Sequence, residues 1–402
     1  MKRAIVVAYD LNPRMGSESG KANSWVRVIS QHFDADVFVC DRHRKSIPVS
    51  NYPRARFHFV AVNRTTQRIL EKLWAFSLVN WIFASAVRRE LSRGDLHDYA
   101  VIHVLTPAGV HSFNDLYTLG IPVLVGPLGG ALPTHPKFRK VFRDEWLKNA
   151  LRELFYRFVV HLPAWRRYFE NAETILTGTA SVIDVLPSEC RSKSRIVFDT
   201  CVDTDIYTPA AEKRTSESPV RILFVGSLLA KKGIVLLIEA VRLCRERGLR
   251  HLELVIAGGG PLRKRLDELI SDYGLGDCVT LRGYVPKREI VKEYQRSDVF
   301  CLPTLREPGG GAILEAMACG LPVITSDYGG PGYSVTDECG IKVEMVDPTQ
   351  YVHDLSRALE RLVGDESLRQ SMGHEARQRA VREFSIQALD TKIRDVYREF
   401  MA

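Results

Sequence analysis

No apolar run in this 402-residue sequence reaches the ~20 residues that a membrane span needs. The longest, Phe76–Val87, is interrupted by Ser77, Asn80 and Ser85. The opening Met1-Lys2-Arg3 and the apolar stretch Ala4–Ala8 are too short for a signal peptide and meet Asp10 at once, so a first buried strand is expected there. None of the 8 cysteines (Cys40, Cys190, Cys201, Cys244, Cys278, Cys301, Cys319, Cys339) forms a CxxC pair or stands at zinc spacing with histidines. Scattered thiols of this kind are expected to be reduced, mostly buried and cytosolic. Low-complexity tracts and short internal repeats are missing too. With 45% apolar and 26% charged residues, the composition excludes a disordered tail protein, a collagen and a coiled coil.

Charge is present, but unevenly. The net +8 arises wholly in the residues up to and including Asp205, where 28 Lys and Arg face 20 Asp and Glu; from Ile206 on the chain is neutral at 28 against 28. Within Lys137–Phe169 nine basic residues face three acidic ones, and Phe142, Trp146, Leu147, Leu151, Leu154, Phe155, Phe158 and Val159 recur at helical spacing. A basic amphipathic helix over 137–169 would lie on an anionic bilayer surface. An ordinary core-facing helix with a solvated face has the same pattern. Basic residues do not interleave with a recognisable nucleic-acid module, so nucleic acid is not expected as a partner.

Short apolar runs alternate with longer helix-period stretches, the pattern of parallel sheets wrapped by helices. Strands are predicted at Ala4–Ala8, Val37–Cys40, Phe57–Val60, Val101–Leu105, Pro122–Gly126 and Thr174–Thr177, then at Arg221–Gly226, Leu252–Ala257, Val279–Arg282, Val299–Leu302 and Pro322–Ser326. The polar, proline-bounded Pro209–Pro219 separates the two sets and reads as a linker. The expectation is an α/β protein of two doubly wound, Rossmann-like domains facing each other across a cleft. Residues 1–207 would form the first domain, 208–219 the linker and 220–380 the second domain, with 381–402 a C-terminal helix returning to the first.

The strongest chemical signal lies in Leu302–Ser326, LPTLREPGGGAILEAMACGLPVITS. Glu307 and the glycines Gly309, Gly310 and Gly311 follow a strand, and Ala312–Ala318 is a good helix former. Glycines ahead of a helix let a ligand approach the backbone while the first helical N–H groups lack partners. That makes a cradle for a phosphate or diphosphate. Glu315 and Glu307 can flank one ligand, and a carboxylate accepts the paired hydroxyls of a sugar or ribose. A plain strand–loop–helix with a capping Glu remains the alternative. In Gly226–Gly233, Ser227 and the pair Lys231-Lys232 precede a helix, placing cations suited to a diphosphate, or simply a solvated basic turn. Gly258-Gly259-Gly260-Pro261 is followed by Arg263 and lacks the dinucleotide fingerprint, so it reads as a tight turn.

Together these motifs resemble the retaining glycosyltransferases of family 4, which have the GT-B fold and use nucleotide-sugar donors. The family's E-x7-E signature is matched by Glu307 to Glu315, and its EAMAxGxPVI block by Glu315–Ile324. The GxLxxxKG element, the AGxGP turn and Gly283-Tyr284-Val285 match as well. The resemblance implies that Glu307 binds donor sugar hydroxyls, Glu315 the nucleotide ribose and Lys232 the diphosphate. Glu307 and Lys232 would be the catalytic pair, and the Gly309–Ala312 backbone would add amides. Two departures stand out: Ser227 replaces a frequent Arg, with Lys231 as a compensating cation, and Gly309 replaces a frequent aromatic residue.

In the first half, Gly16 and Ser17 lie in PRMGSESG after the first strand, resembling the family's N-terminal glycine loop that faces the donor phosphates; an ordinary turn would read the same. Gly126-Pro127-Leu128-Gly129-Gly130 ends another strand, and Gly129 and Gly130 become acceptor-side candidates. Where the family often places an active-site histidine this chain has Leu128, leaving His103 and His135 as the nearest alternatives. The resemblance further implies front-face displacement, in which the leaving diphosphate helps deprotonate the acceptor and the protein positions reactants and stabilises charge. No DxD-like motif follows a strand, so no metal and no other cofactor is expected. The reading is a retaining hexosyltransferase using a UDP- or GDP-sugar and a glycan or lipid-linked acceptor, in cell-surface polysaccharide or glycolipid synthesis. It would be cytoplasmic, with the inner face of the membrane as an alternative place. A GT-B epimerase or phosphorylase and a non-catalytic nucleotide-sugar scaffold are the competing readings.

Overall fold

The structure, a computed structural model, describes residues 2–13, 17–63, 65, 70, 76–107, 109–130, 132–145, 151, 154–156, 158–211 and 218–401. The chain divides into two compact units. One comprises Met1–Ala131, Leu147–Cys201 and Ile386–Ala402, the other Leu132–Trp146 and Val202–Ser385.

The first unit is built on a parallel sheet of seven strands: β1 (Arg3–Ala8), β2 (Ala35–Cys40), β3 (Ala55–Val60), β4 (Tyr99–Thr106), β5 (Val123–Leu128), β6 (Thr174–Thr177) and β7 (Ser194–Ile196). Their order is β3-β2-β1-β4-β5-β6-β7. Side chains alternate across a strand, and in β1, β4 and β5 both faces are buried, which is why these central strands are mostly apolar. Ile5 and Val7 join one core with Phe38, Ile102 and Val125, while Ala4, Val6 and Ala8 join another with Val37 and Val101. Helices Phe76–Leu91 and Pro163–Glu170 cover the first face. Helices Ser17–His32 and Ile386–Met401 cover the second. The C-terminal helix packs through Leu389, Ile393, Val396 and Tyr397, an apolar stripe at helical spacing that ties the end of the chain to the first unit.

The second unit has six parallel strands: β8 (Val220–Val225), β9 (Leu252–Ala257), β10 (Val279–Gly283), β11 (Val299–Leu302), β12 (Val323–Ser326) and β13 (Gly340–Val343), in the order β10-β9-β8-β11-β12-β13. In both sheets the strand order reverses beside the first strand, at β1/β4 and at β8/β11. Ligands of such sheets gather at the carboxyl ends of the strands near that reversal. Helix Pro348–Gly364 packs against helix Ile234–Glu246 and is capped by Asp347, which accepts from the Gln350 amide at 3.0 Å.

The expectation of one basic helix over 137–169 needs correction. Pro136–Glu145 is a 3-10 helix in the second unit, with Phe138 and Phe142 buried. Pro163 starts a separate helix in the first unit that buries Trp165, Tyr168 and Phe169. A proline suits a first helical turn and disrupts an interior one, so the chain re-initiates there. Residues 146–150, 152–153 and 157 of that stretch, and 212–217 of the linker, lie outside the described residues. All eight cysteines are free; Cys201 is half-buried and the others are buried. Among the described residues, no helix is long and apolar enough to cross a membrane.

Candidate functional site

The motifs expected to hold a donor come together at the carboxyl end of the second unit's sheet. After β8 the chain forms a turn at Ala230–Lys232 and enters the helix from Ile234 through Gly233, whose φ is 67°. A Cβ on Gly233 would stand 1.9 Å from the Pro303 carbonyl oxygen, so the glycine of the KG pair is a packing requirement. Closing the same contact, the Lys231 carbonyl accepts from the Leu305 amide at 2.8 Å and from Thr304 Oγ1 at 3.0 Å. The loops after β8 and β11 are thereby clamped together. The Gly258–Pro261 turn buttresses them, its Gly259 carbonyl accepting from the Leu228 amide at 2.9 Å.

Glu307 lies in the loop after β11 and Lys232 beside it on the neighbouring loop, and the two side chains form an ion pair. Both are largely buried, at 14% and 17% exposure for Lys232 and Glu307. The other carboxylate oxygen of Glu307 is approached by the amides of Gly309 and Gly310 at 3.5 and 3.3 Å. Burial alone would raise this carboxyl's pKa. Lys232, Lys231 and the Gly309 amide outweigh that and hold it below the usual carboxylate value. The glycine amides, expected to cradle a ligand, therefore already hold an anion: the protein's own.

Helix Gly311–Ala318 starts at Gly310, whose φ of 84° turns the chain into the first turn. The first N–H groups of a helix have no intrahelical partner, so Gly311 and Ala312 present donors beside Glu307. One turn on, Glu315 accepts from the Tyr294 hydroxyl at 2.9 Å, and the same hydroxyl reaches the Ala312 carbonyl at 3.3 Å. Burial pushes the Glu315 carboxyl up, an effect only partly offset by hydrogen bonding. Tyr294 was not legible as functional, because Lys287–Gln295 reads as an ordinary amphipathic helix.

The remaining candidates separate. Ser227 is exposed on the loop after β8. Ser17 opens helix Ser17–His32, and Gly16 lies outside the described residues. Gly129 and Gly130 follow β5 in the first unit, where the Gly129 carbonyl accepts from the Val110 amide at 3.2 Å. His135 belongs to the second unit and packs edge-on against Phe138, 5.5 Å between ring centres. His103 must be withdrawn as an acceptor-side residue. It is wholly buried, with Nε2 2.6 Å from the Gly126 carbonyl and Nδ1 2.8 Å from the Tyr397 hydroxyl. Burial lowers its pKa to about 4, so it is a neutral pin between β5 and the C-terminal helix.

A polar cluster at the carboxyl end of β1 escaped sequence reasoning. Asp10 accepts from Ser19 Oγ at 2.6 Å, and His43 Nε2 lies 2.7 Å from its other oxygen. Arg42 reaches the same carboxylate at 3.3 Å. These residues sit far apart in sequence and match no spacing rule. A cavity of about 450 Å³ opens at the opposite, amino end of the second sheet, lined by Pro209, Tyr294, Cys319, Gly373 and Arg377 among others. Neither Glu307 nor Lys232 lines it. Among the described residues, no cluster of three His, Cys, Asp or Glu could hold a metal ion.

The family model described as glycosyl transferases group 1 matches residues 209–379. An alpha-D-kanosaminyltransferase of Streptomyces kanamyceticus is 32% identical over 295 residues, covering 70% of this chain and 71% of that protein. A D-inositol 3-phosphate glycosyltransferase of Corynebacterium jeikeium is 34% identical over 57% of this chain and 58% of its own length. Among solved structures, a sucrose-phosphate synthase of Thermosynechococcus elongatus superposes with a TM-score of 0.70 at 18% identity, covering 100% of this chain and 99% of its own. Anabaena HepE in complex with UDP-glucose does so with a TM-score of 0.63 at 15% identity, covering 98% and 99%.

Proposed function

The chain belongs to the glycosyl transferases group 1 family, and on that premise we propose that it is a retaining hexosyltransferase that takes its sugar from a UDP- or GDP-linked donor. Its two parallel-sheet units are those of the GT-B fold. The acceptor in this reading is a hydroxyl of a glycan or lipid-linked glycan, in cell-surface polysaccharide or glycolipid synthesis. The observation that carries the reading is the Lys232–Glu307 pair, buried at the carboxyl end of the second sheet and flanked by a helix N-terminus.

In this reading the pair is the resting state of the donor site. An entering diphosphate competes for the Lys232 ammonium, with Lys231 and the amides of Gly311 and Ala312 sharing its charge. Glu307 is then released to accept hydroxyl donors from the sugar. Because Glu307 is held ionised, it takes up this role without losing a proton first. Glu315, one helical turn away, accepts from the ribose diol. Bond cleavage sends negative charge onto the diphosphate, where fixed cations and amides stabilise it, and the departing oxygen takes the acceptor's proton. No protein nucleophile is involved, and the sugar keeps its anomeric configuration.

The acceptor side is assigned to the first unit, with Gly129 and Gly130 at the end of β5. The first unit also supports a membrane-surface reading, narrower than the sequence implied. Phe138 and Phe142 are used inside the second unit, but Leu151, Leu154 and Phe158 stay 58%, 65% and 62% exposed. Leu78 and Trp81 are also exposed, on a helix that covers the same sheet face as Phe155 and Val159. Apolar side chains with the nearby exposed Arg166 and Arg167 suit an anionic bilayer surface and a cytoplasmic, peripheral enzyme.

A thermal-shift panel of UDP, GDP and their sugar conjugates tests the donor class. One nucleotide series should raise the melting temperature. Lys232→Ala should abolish that rise; no rise with any of the compounds contradicts the reading.

A further inference from the structure

We propose that residues 132–142, which the first half of the sequence contributes to the second unit, form a strap that positions Glu307, with Thr134 and Phe142 acting through Arg306. The proposal rests on the donor-sugar role of Glu307 set out above. Thr134 and Phe142 are positioning residues: neither is placed against the donor.

The strap is built in against the loop that carries Glu307. The Arg306 guanidinium donates to Thr134 Oγ1 at 2.9 Å and stands over the Phe142 ring, 5.6 Å from its centre. Thr134 and Phe142 are 4% and 2% exposed, so this cation is held from two sides in a poorly hydrated place, where such contacts are strongest. Arg306 is the residue before Glu307. Fixing its side chain restricts the backbone from which the glutamate projects.

The next turn is held from the opposite side. Gly330 N–H donates to the Glu307 carbonyl at 3.0 Å. A Cβ at Gly329 would meet that carbonyl oxygen at 2.6 Å and the Leu132 side chain at 2.8 Å, and one at Gly330 would meet the Pro308 carbonyl oxygen at 2.3 Å. The chain between Tyr328 and Gly330 is thus pressed between the Glu307 loop and the start of the strap. The Tyr328 hydroxyl donates to the Pro133 carbonyl at 2.9 Å, closing the contact. Further along, Phe138 packs edge-on against Tyr351, whose hydroxyl pairs with Ser326 at the end of β12 at 2.6 Å. The strap is therefore anchored to the sheet framework, holds the glutamate loop directly through Arg306, and backs the Tyr328–Gly330 segment that holds the loop after Glu307. A segment needed only to link strands would not require the cation contact or the glycines.

The test uses the full-length protein and three variants. Thr134→Val keeps size but removes the acceptor of the Arg306 hydrogen bond, Thr134→Ser keeps the hydroxyl, and Phe142→Leu removes the ring. Hydrogen exchange followed by mass spectrometry reads the loop directly, without any donor. The peptide spanning 305–311 should exchange about tenfold faster in Thr134→Val and Phe142→Leu, the scale set by losing one hydrogen bond to a charged group. The β8 peptide should be unchanged, and Thr134→Ser should behave as wild type. Calorimetry with UDP-glucose and GDP-mannose, and with the free nucleotide of whichever the wild type binds, then asks what the loop does. Affinity for the free nucleotide should stay within about twofold, while that sugar nucleotide binds about tenfold more weakly in the two loosening variants. Wild-type exchange of 305–311 in Phe142→Leu and in folded Thr134→Val overturns the strap. Faster exchange with unaltered binding of that sugar nucleotide reduces it to a structural brace and also overturns the proposal. Separately, Glu307→Gln with unaltered affinity for that sugar nucleotide would remove the donor-sugar role itself, whatever the exchange shows.

Discussion

At the scale of single residues, Glu307 and Glu315 are driven apart by their surroundings. Lys232 and the glycine amides keep Glu307 ionised, whereas burial makes Glu315 the first of the two to take a proton as pH falls. In the proposed reading donor binding uses both as acceptors, so its acid limb should follow Glu315 and lie above the ordinary glutamate value of 4.5. Measured donor affinity against pH should show that limb in the wild type and lose it in Glu315→Gln, at reduced affinity throughout. An unchanged limb in the variant would assign it to another group. Lys232→Ala leaves a buried carboxylate without its cation, and a fall of about 1–3 kcal/mol in unfolding free energy is expected from denaturant titration. The glutamate pair was legible because both members lie in one short motif. Lys232 was legible too, in the GxLxxxKG element, but its ion pair with Glu307 was not, and Tyr294 reaches Glu315 from a segment that no periodicity marks.

At the scale of elements, the buried strands were legible because both faces of each sheet are covered, so their apolar runs are continuous. The edge strands β7 and β13 were missed. They are short, and polar residues interrupt them at Arg195 and Lys342, because an edge has one neighbour and more solvent. The strap was misread for a different reason: Phe142 fits the helix stripe that continues through Trp146 and Leu147, and only tertiary packing decides which unit it serves. The C-terminal helix makes a testable element of its own. Its Tyr397 hydroxyl pairs with His103, whose pKa burial lowers from the ordinary histidine value of 6.5 to about 4. A histidine held neutral in the folded state binds fewer protons than in the unfolded chain across that window. Stability is therefore full above 6.5 and declines as pH falls towards 4, by on the order of 3 kcal/mol from this residue. In an NMR titration the His103 ring signals should stay unshifted down to about pH 5; a midpoint near 6.5 would contradict the buried assignment.

At the scale of the whole molecule, the uneven charge of the sequence has acquired a more local meaning. Part of the basic stretch, Lys137, Arg139 and Lys140, is exposed on the strap in the second unit, while Arg166 and Arg167 are exposed on the first. Surface attachment is thus expected from the first unit's exposed apolar side chains with local arginines, not from one long helix. Vesicles of neutral phosphatidylcholine and of anionic phosphatidylglycerol separate the outcomes. Wild-type protein should float with the anionic vesicles, and the double substitution Leu154→Glu with Phe158→Glu should remain in solution. Equal flotation of both proteins would move the attachment elsewhere. The central claim, a nucleotide-sugar site organised around Glu307 and Lys232, is tested most directly by calorimetric titration of UDP, UDP-glucose, GDP and GDP-mannose into wild type and Glu307→Gln. One sugar nucleotide should bind the wild type and bind the variant at least tenfold more weakly, with its free nucleotide changed less than about twofold. Equal affinities of the two proteins for that sugar nucleotide, or no binding of any of the four, would contradict it.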